Sequence, residues 1–216
     1  MHNIQPEEGE GMDQASIITR VKQILTSPRT EWPLIAAEPA TIKGLYLNYI
    51  AILAAIPPIA GFIRNSLIGN GAFGITIRTP IPQGIILAVL TYALSLLVVY
   101  VVALIVNALA STFDGRQDMV QALKVVAYSY TAAWVAGVFI ILPWLGWLVA
   151  VAGAVYSIYL MYLGMSPVMK NPPQKSAGYT ALAVVIAVVL QWLVGLVLFL
   201  VLGGAAISAA ALSHPH

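Results

Sequence analysis

Three glycines in the stretch IGNGAFG, Gly69, Gly71 and Gly74, have the Gly-x-Gly-x-x-Gly spacing that lets a backbone approach the pyrophosphate of a dinucleotide. That chemistry needs a strand before the glycines and a helix N-terminus directly after them, because helix amides and dipole hold the phosphate. Here ITIRTPIPQG follows, with Pro80 and Pro82 ahead of the next apolar run. The glycines are therefore read as a loop that folds flat, and no nucleotide site is expected. Acid–base and metal chemistry find no better footing. The histidines are His2, His214 and His216, at the two extreme ends, and cysteine is absent. No Ser-His-Asp set, paired-carboxylate site or His-Glu-x-x-His helix can be assembled from what is left. No catalytic residue, metal ligand or cofactor is expected, and the chain is read as non-enzymatic.

The residues that remain fall into two groups. Pro57, Asn107, Tyr156, Tyr159 and Gln191 are polar or helix-breaking residues inside apolar stretches. Broken helices can line a substrate site in a transporter, so these five make a candidate polar cleft. Gln191 also has a plainer reading as an interhelical hydrogen bond, worth about 0.6–2 kcal/mol. Tyr156 and Tyr159, with Tyr162, read equally as packing or interface anchors. The second group lies in two polar loops: Asp114, Gly115, Arg116 and Asp118 in one, Lys170 and Lys175 in the other. If the loops meet, they form a candidate interaction patch.

The elements that must position these residues follow from composition. Of 216 residues, 60% are hydrophobic and 8% charged, against about 25% charged in a soluble domain. A soluble fold this small could not hide so much apolar surface, so lipid must act as the solvent. A membrane-spanning helix needs about 20 apolar residues, and five stretches qualify: 44–63, 85–109, 120–142, 144–164 and 179–204. The third and fourth form one long run broken at Leu142-Pro143-Trp144, which predicts a tight hairpin. The fold class is thus all-α: an integral membrane bundle of five transmembrane helices preceded by an amphipathic interfacial helix. Lys124 lies near the end of the third span and is expected to snorkel outward.

Orientation comes from the loop cations. With five spans, Arg20, Lys22, Arg29, Lys43, Arg116, Lys124, Lys170 and Lys175 share the N-terminal side, and Arg64 and Arg78 the other. Eight against two places the N-terminus in the cytoplasm and the C-terminus in the periplasm or outside. Residues 1–14 read as a disordered acidic N-terminus without a cleavable signal, 15–43 as a cytoplasmic arm, 44–204 as the transmembrane domain and 205–216 as a short outer tail. Within the arm, Ile17, Ile18, Val21, Ile24 and Leu25 recur at helical spacing, and Ser27-Pro28 ends the helix. Such a basic amphipathic helix is expected at the membrane interface, or docked on the bundle.

Four stretches carry a resemblance. ILTSPRTEW before the first span, TFDGRQDMVQALKVVAYSYTAAWVAG across the second loop and third span, ILPWLGWL at the hairpin, and YSIYLMYLGMSPVMKNPPQKSAGYT into the fifth span resemble the bacterial branch of the Yip family of Ypt/Rab-interacting five-span membrane proteins. The resemblance covers roughly residues 20 to 200 and implies five helices with a cytoplasmic N-terminus. Its eukaryotic members are linked to Rab-type GTPases, vesicle traffic and membrane shaping. An acidic segment of the DLYGP type is missing from this arm, so GTPase binding is not carried over. Ala132 or Ala133 stands where the family would have a proline in the third span.

The expected role is a membrane organiser, scaffold or trafficking-type adaptor in a bacterial inner membrane. The alternative is a small permease, channel or lipid-handling protein using the cleft. The expected partners are membrane lipids and other membrane proteins or a second copy of the chain. Nucleic acid is not expected, since the net charge is only +2.

Overall fold

The structure is a computed structural model that describes residues 14–72 and 75–212. The acidic N-terminus, Gly74 and all three histidines lie outside those residues.

Among the described residues, five helices long and apolar enough to cross a membrane follow one another: Ile42–Ile68, Ile81–Phe113, Met119–Ile141, Leu145–Met169 and Pro173–Leu200. They are called the first to fifth spans. Most outrun the apolar stretches in the sequence, because helical hydrogen bonding continues into polar flanks that hydropathy does not count. The fifth helix goes furthest, from Pro173 to Leu212, so the backbone over 205–212 is helical.

Sequence dictates where each helix bends or stops. Thr41 caps the first span by accepting a hydrogen bond from Gly44 N at 3.0 Å. Pro57 and Pro58 cannot donate to the helical ladder, and the helix restarts at Ile56 with them in its first turn. Wide π turns flank this break at Tyr46–Ile50 and Ile63–Ile68. The predicted hairpin forms at the Leu-Pro-Trp site: the third span tightens into a 3-10 turn over Gly137–Ile141 and the fourth begins at Leu145. Gly146 permits that turn, since a Cβ there would sit 2.3 Å from the Phe139 oxygen. The glycine loop after the first span is a short antiparallel hairpin, β1 (Asn70–Ala72) on β2 (Ile75–Ile77). Gly69 turns the chain into it at φ +92, a conformation that favours glycine. No helix N-terminus follows the glycines; the second span waits until Ile81.

The third span is the hub. In its most apolar window 61% of residues are buried, against 6% in the fifth span. Leu123, Val126 and Ala127 are fully buried beside Val102, Ala103 and Val106 of the second span and Tyr49 and Ile50 of the first. Span polar groups mostly join helices. The Tyr49 and Thr131 hydroxyls lie 2.6 Å apart, Tyr46 donates to Leu96 O at 2.9 Å, and Tyr92 donates to Ala51 O at 3.0 Å.

Candidate functional site

The arm is two helices, α1 (Gln14–Thr26) and α2 (Pro28–Ala37). Proline at the first position of α2 suits a helix start and ends the preceding one, as the Ser27-Pro28 pair predicts. The apolar stripe of α1 faces the bundle. Ile17 and Ile24 are buried, Val21 and Leu25 pack against the core, and Ile18 remains 72% exposed. α2 adds Trp32 and Ile35, both essentially fully buried. Trp32 lies edge-on to Tyr128, with centroids 6.4 Å apart, and covers Gly164 so closely that a Cβ there would come within 2.7 Å of the indole.

Polar contacts lock the arm in place. Arg20 bridges Glu31 and Glu38, joining α1 to both ends of α2. Burial opposes the Arg20 charge, but the hydrogen bond and field of Glu38, with Tyr128 and Glu31, outweigh it and hold the guanidinium above its ordinary range. Tyr156 of the fourth span donates to Leu25 O at 2.7 Å. Gln121 Nε2 donates to Ala36 O at 3.2 Å. Lys124 does not snorkel outward as its position suggested. It is 2% exposed, and its ammonium donates to Ile35 O at 2.8 Å and Glu38 O at 2.5 Å. The carbonyls at the end of α2 lack helical partners and supply the acceptors a buried cation needs.

The two polar loops on the same side of the bundle meet. The second and fourth spans end alike, at Asp114 (φ 56) and Lys170 (φ 59), each in the left-handed conformation that terminates helices. Arg116 N donates to Met169 O at 2.7 Å, tying loop to loop. Gly115 makes that approach possible, because a Cβ would stand 3.0 Å from the Met169 oxygen. Above this seam Lys175 Nζ lies 2.5 Å from Asp114 Oδ2, with both side chains well exposed. Arg116 and Lys170 are exposed beside them. Asp118 serves the fold, since its carboxylate caps the third span, accepting from Val120 N at 3.0 Å and Gln121 N at 3.1 Å. Asn171 staples the fourth loop, being 2% exposed and donating to Ser176 Oγ at 2.9 Å.

The five residues of the predicted cleft do not assemble. Pro57 lines a cavity of about 200 Å³ near the far end of the first two spans, with Pro58, Phe62, Ser66, Gly84 and Thr91. Asn107, Tyr156, Tyr159 and Gln191 are not part of that lining. The Tyr156 hydroxyl is taken by the arm, and the Tyr159 ring lies tilted beside the Tyr156 ring, centroids 5.7 Å apart. Asn107 is half-buried on the second span and Gln191 is exposed on the outside of the fifth.

Comparison with known proteins is decisive at one level. The family model of the Yip1 domain matches residues 22–196, most of the chain. The chain belongs to the Yip1 family. The Yip1 match takes in much of the docked arm, all four interhelical connections and most of the fifth span. The chain is also 28% identical to the inner membrane protein YohC of Escherichia coli K12 over 188 residues, covering 85% of this chain and 96% of YohC. The same figures hold for YohC of Escherichia coli O6:H1. No solved structure matches. This Yip1-family chain is therefore a multi-pass integral membrane protein.

Sequence reasoning missed the Arg20–Glu31–Glu38 cluster. A signal was present: two acids seven residues apart, one in α2 and one just past its end, opposite an arginine that lies off the apolar stripe of α1. It also missed Trp32 as the central wedge and Asn171 as the staple.

Proposed function

We propose that this Yip1-family protein is a non-enzymatic organiser of a bacterial inner membrane that recognises a partner on its arm-side face, which lies in the cytoplasm. The observation that carries the reading is the joining of loops two and four through Arg116 N to Met169 O and Lys175 to Asp114. An exposed ion pair contributes only about 0–1 kcal/mol, so fold stability gives little reason to hold charged side chains in a fixed array there. A prearranged charge pattern instead gives specificity to an encounter with another protein. The eight-to-two cation bias supports the cytoplasmic placement. The likeness to an inner membrane protein over 96% of that relative supports the membrane assigned.

The transport reading is weaker because its residues are scattered. The span polar groups above bond helix to helix, and the Tyr156 hydroxyl belongs to the arm anchor. Reconstitution separates the two. Proteoliposomes carrying the purified protein should pass neither small solutes nor fluorescent phospholipid faster than empty vesicles. Saturable flux or scrambling that tracks protein dose would favour the permease or lipid-handling reading.

A further inference from the structure

The fifth span is the most apolar of the five, with mean hydropathy 2.8, and the least covered, with 6% of its window buried. It rests on the bundle along Ala183, Val184, Ala187, Leu190 and Val194. Elsewhere its middle carries one exposed residue that hydrocarbon does not suit. Gln191 is exposed, and among the described residues it is the one exposed non-aromatic polar side chain in the middle of any span. Tyr179 sits level with the end of the second span, donating to Val106 O and stacking on Phe113 at 4.8 Å. A span of about 20 residues starting there has its midplane about 10 residues in, near residue 189, two residues from Gln191. A carboxamide at that depth finds no water, so its hydrogen bonds must come from another chain.

We infer that the fifth span is a homodimer interface in which Gln191 pairs with Gln191 of a second copy. Copies inserted in the same orientation can pair only about a two-fold axis along the membrane normal. That axis brings each residue to its own depth on the partner. A lone polar side chain at one depth therefore meets itself, and a carboxamide is self-complementary because it carries both donor and acceptor. Val188, Gln191, Gly195 and Phe199, spaced three, four and four apart, make one flank of the exposed surface. Nothing lies within 4 Å of where a Gly195 Cβ would be, so the glycine one turn beyond Gln191 leaves room for a second helix. This interface and the loop patch rest on separate observations, and neither depends on the other.

The native chain has no cysteine, so single cysteines report contacts cleanly. Full-length Val188→Cys, Gln191→Cys and Gly195→Cys, oxidised in native membranes, should give a product of twice the chain mass. Val189→Cys and Leu193→Cys, equally exposed on the opposite flank, should not. Gln191→Leu should lower the dimer association constant about 3- to 30-fold, the range one interhelical side-chain hydrogen bond supplies. Its monomer should melt like the wild type, since among the described residues no hydrogen bond ties the Gln191 side chain to the bundle. Cross-linking that is equal on both flanks, absent at 191 and 195, or to a protein of different mass would overturn the inference. So would a Gln191→Leu dimer as tight as the wild type.

Discussion

Lys124 Nζ stands 2.8 Å from the main-chain oxygen of Ile35, and that bond fastens the hub of the bundle to an arm eighty-nine positions away in the chain. A second bond, to Glu38 O at 2.5 Å, completes a buried ammonium held by the open end of α2. The arm is thus an integral layer of the fold, and the buried charge is what makes its docking specific.

Replacing Lys124 with methionine keeps the stem and removes the donor. Two carbonyls then lose their partner, at about 1–3 kcal/mol each if they stay buried. The detergent-solubilised variant should melt earlier, and trypsin should cut at Arg20 and Lys22 sooner. Lys22→Met, on the exposed face of α1, should change the melting temperature little. Equal melting of both variants would refute the anchor.

Gly164→Val tests the wedge from the other side. Its side chain would occupy the space of the Trp32 indole, and overpacking of this kind costs about 1–3 kcal/mol. The arm should be displaced while the spans stay folded. Faster arm proteolysis with an unchanged helical circular dichroism signal is the expected result; unchanged proteolysis would mean the groove yields.

These two sites show what could be read from sequence. The five spans, the hairpin at Leu142-Pro143-Trp144 and the end of α1 at Ser27-Pro28 were legible, because each follows from local chemistry: apolar length or a missing N–H. The convergence of Asp114, Arg116, Lys170 and Lys175 was legible because short loops on one side of a bundle have little room to part. The destination of the Lys124 ammonium was not, since position in a span says nothing about which carbonyl will be within reach. The cleft failed for a related reason. Pro57, Tyr156 and Gln191 share a chain but not a helix face, and rotation of each helix is set by packing rather than by hydropathy.

Asp118 and Asp114 look alike in sequence and should behave differently. Asp118→Ala removes a helix cap and should cost about 0.5–2 kcal/mol. Asp114→Ala breaks only an exposed ion pair and should cost no more than about 1 kcal/mol. Thermal melts in one detergent decide the order; a larger loss at Asp114 would mean the loop seam, not the cap, carries the stability.

Orientation is open to direct labelling. Ser111, Gln174 and Ile77 are exposed. Cysteines at 111 and 174 should resist a membrane-impermeant thiol reagent in intact cells and react after lysis, while one at 77 should react in both. Labelling at 111 but not at 77 in intact cells would invert the assignment.

The most direct test of the arm-side face as a recognition surface is the double swap Asp114→Lys with Lys175→Asp. The swap keeps an ion pair between the loops and reverses the charge each presents. Melting should stay within about 1 kcal/mol of the wild type, while recovery of partners cross-linked in native membranes should fall at least about tenfold, the equivalent of about 1.4 kcal/mol. A swapped protein that retains every partner at the wild-type level would contradict the account.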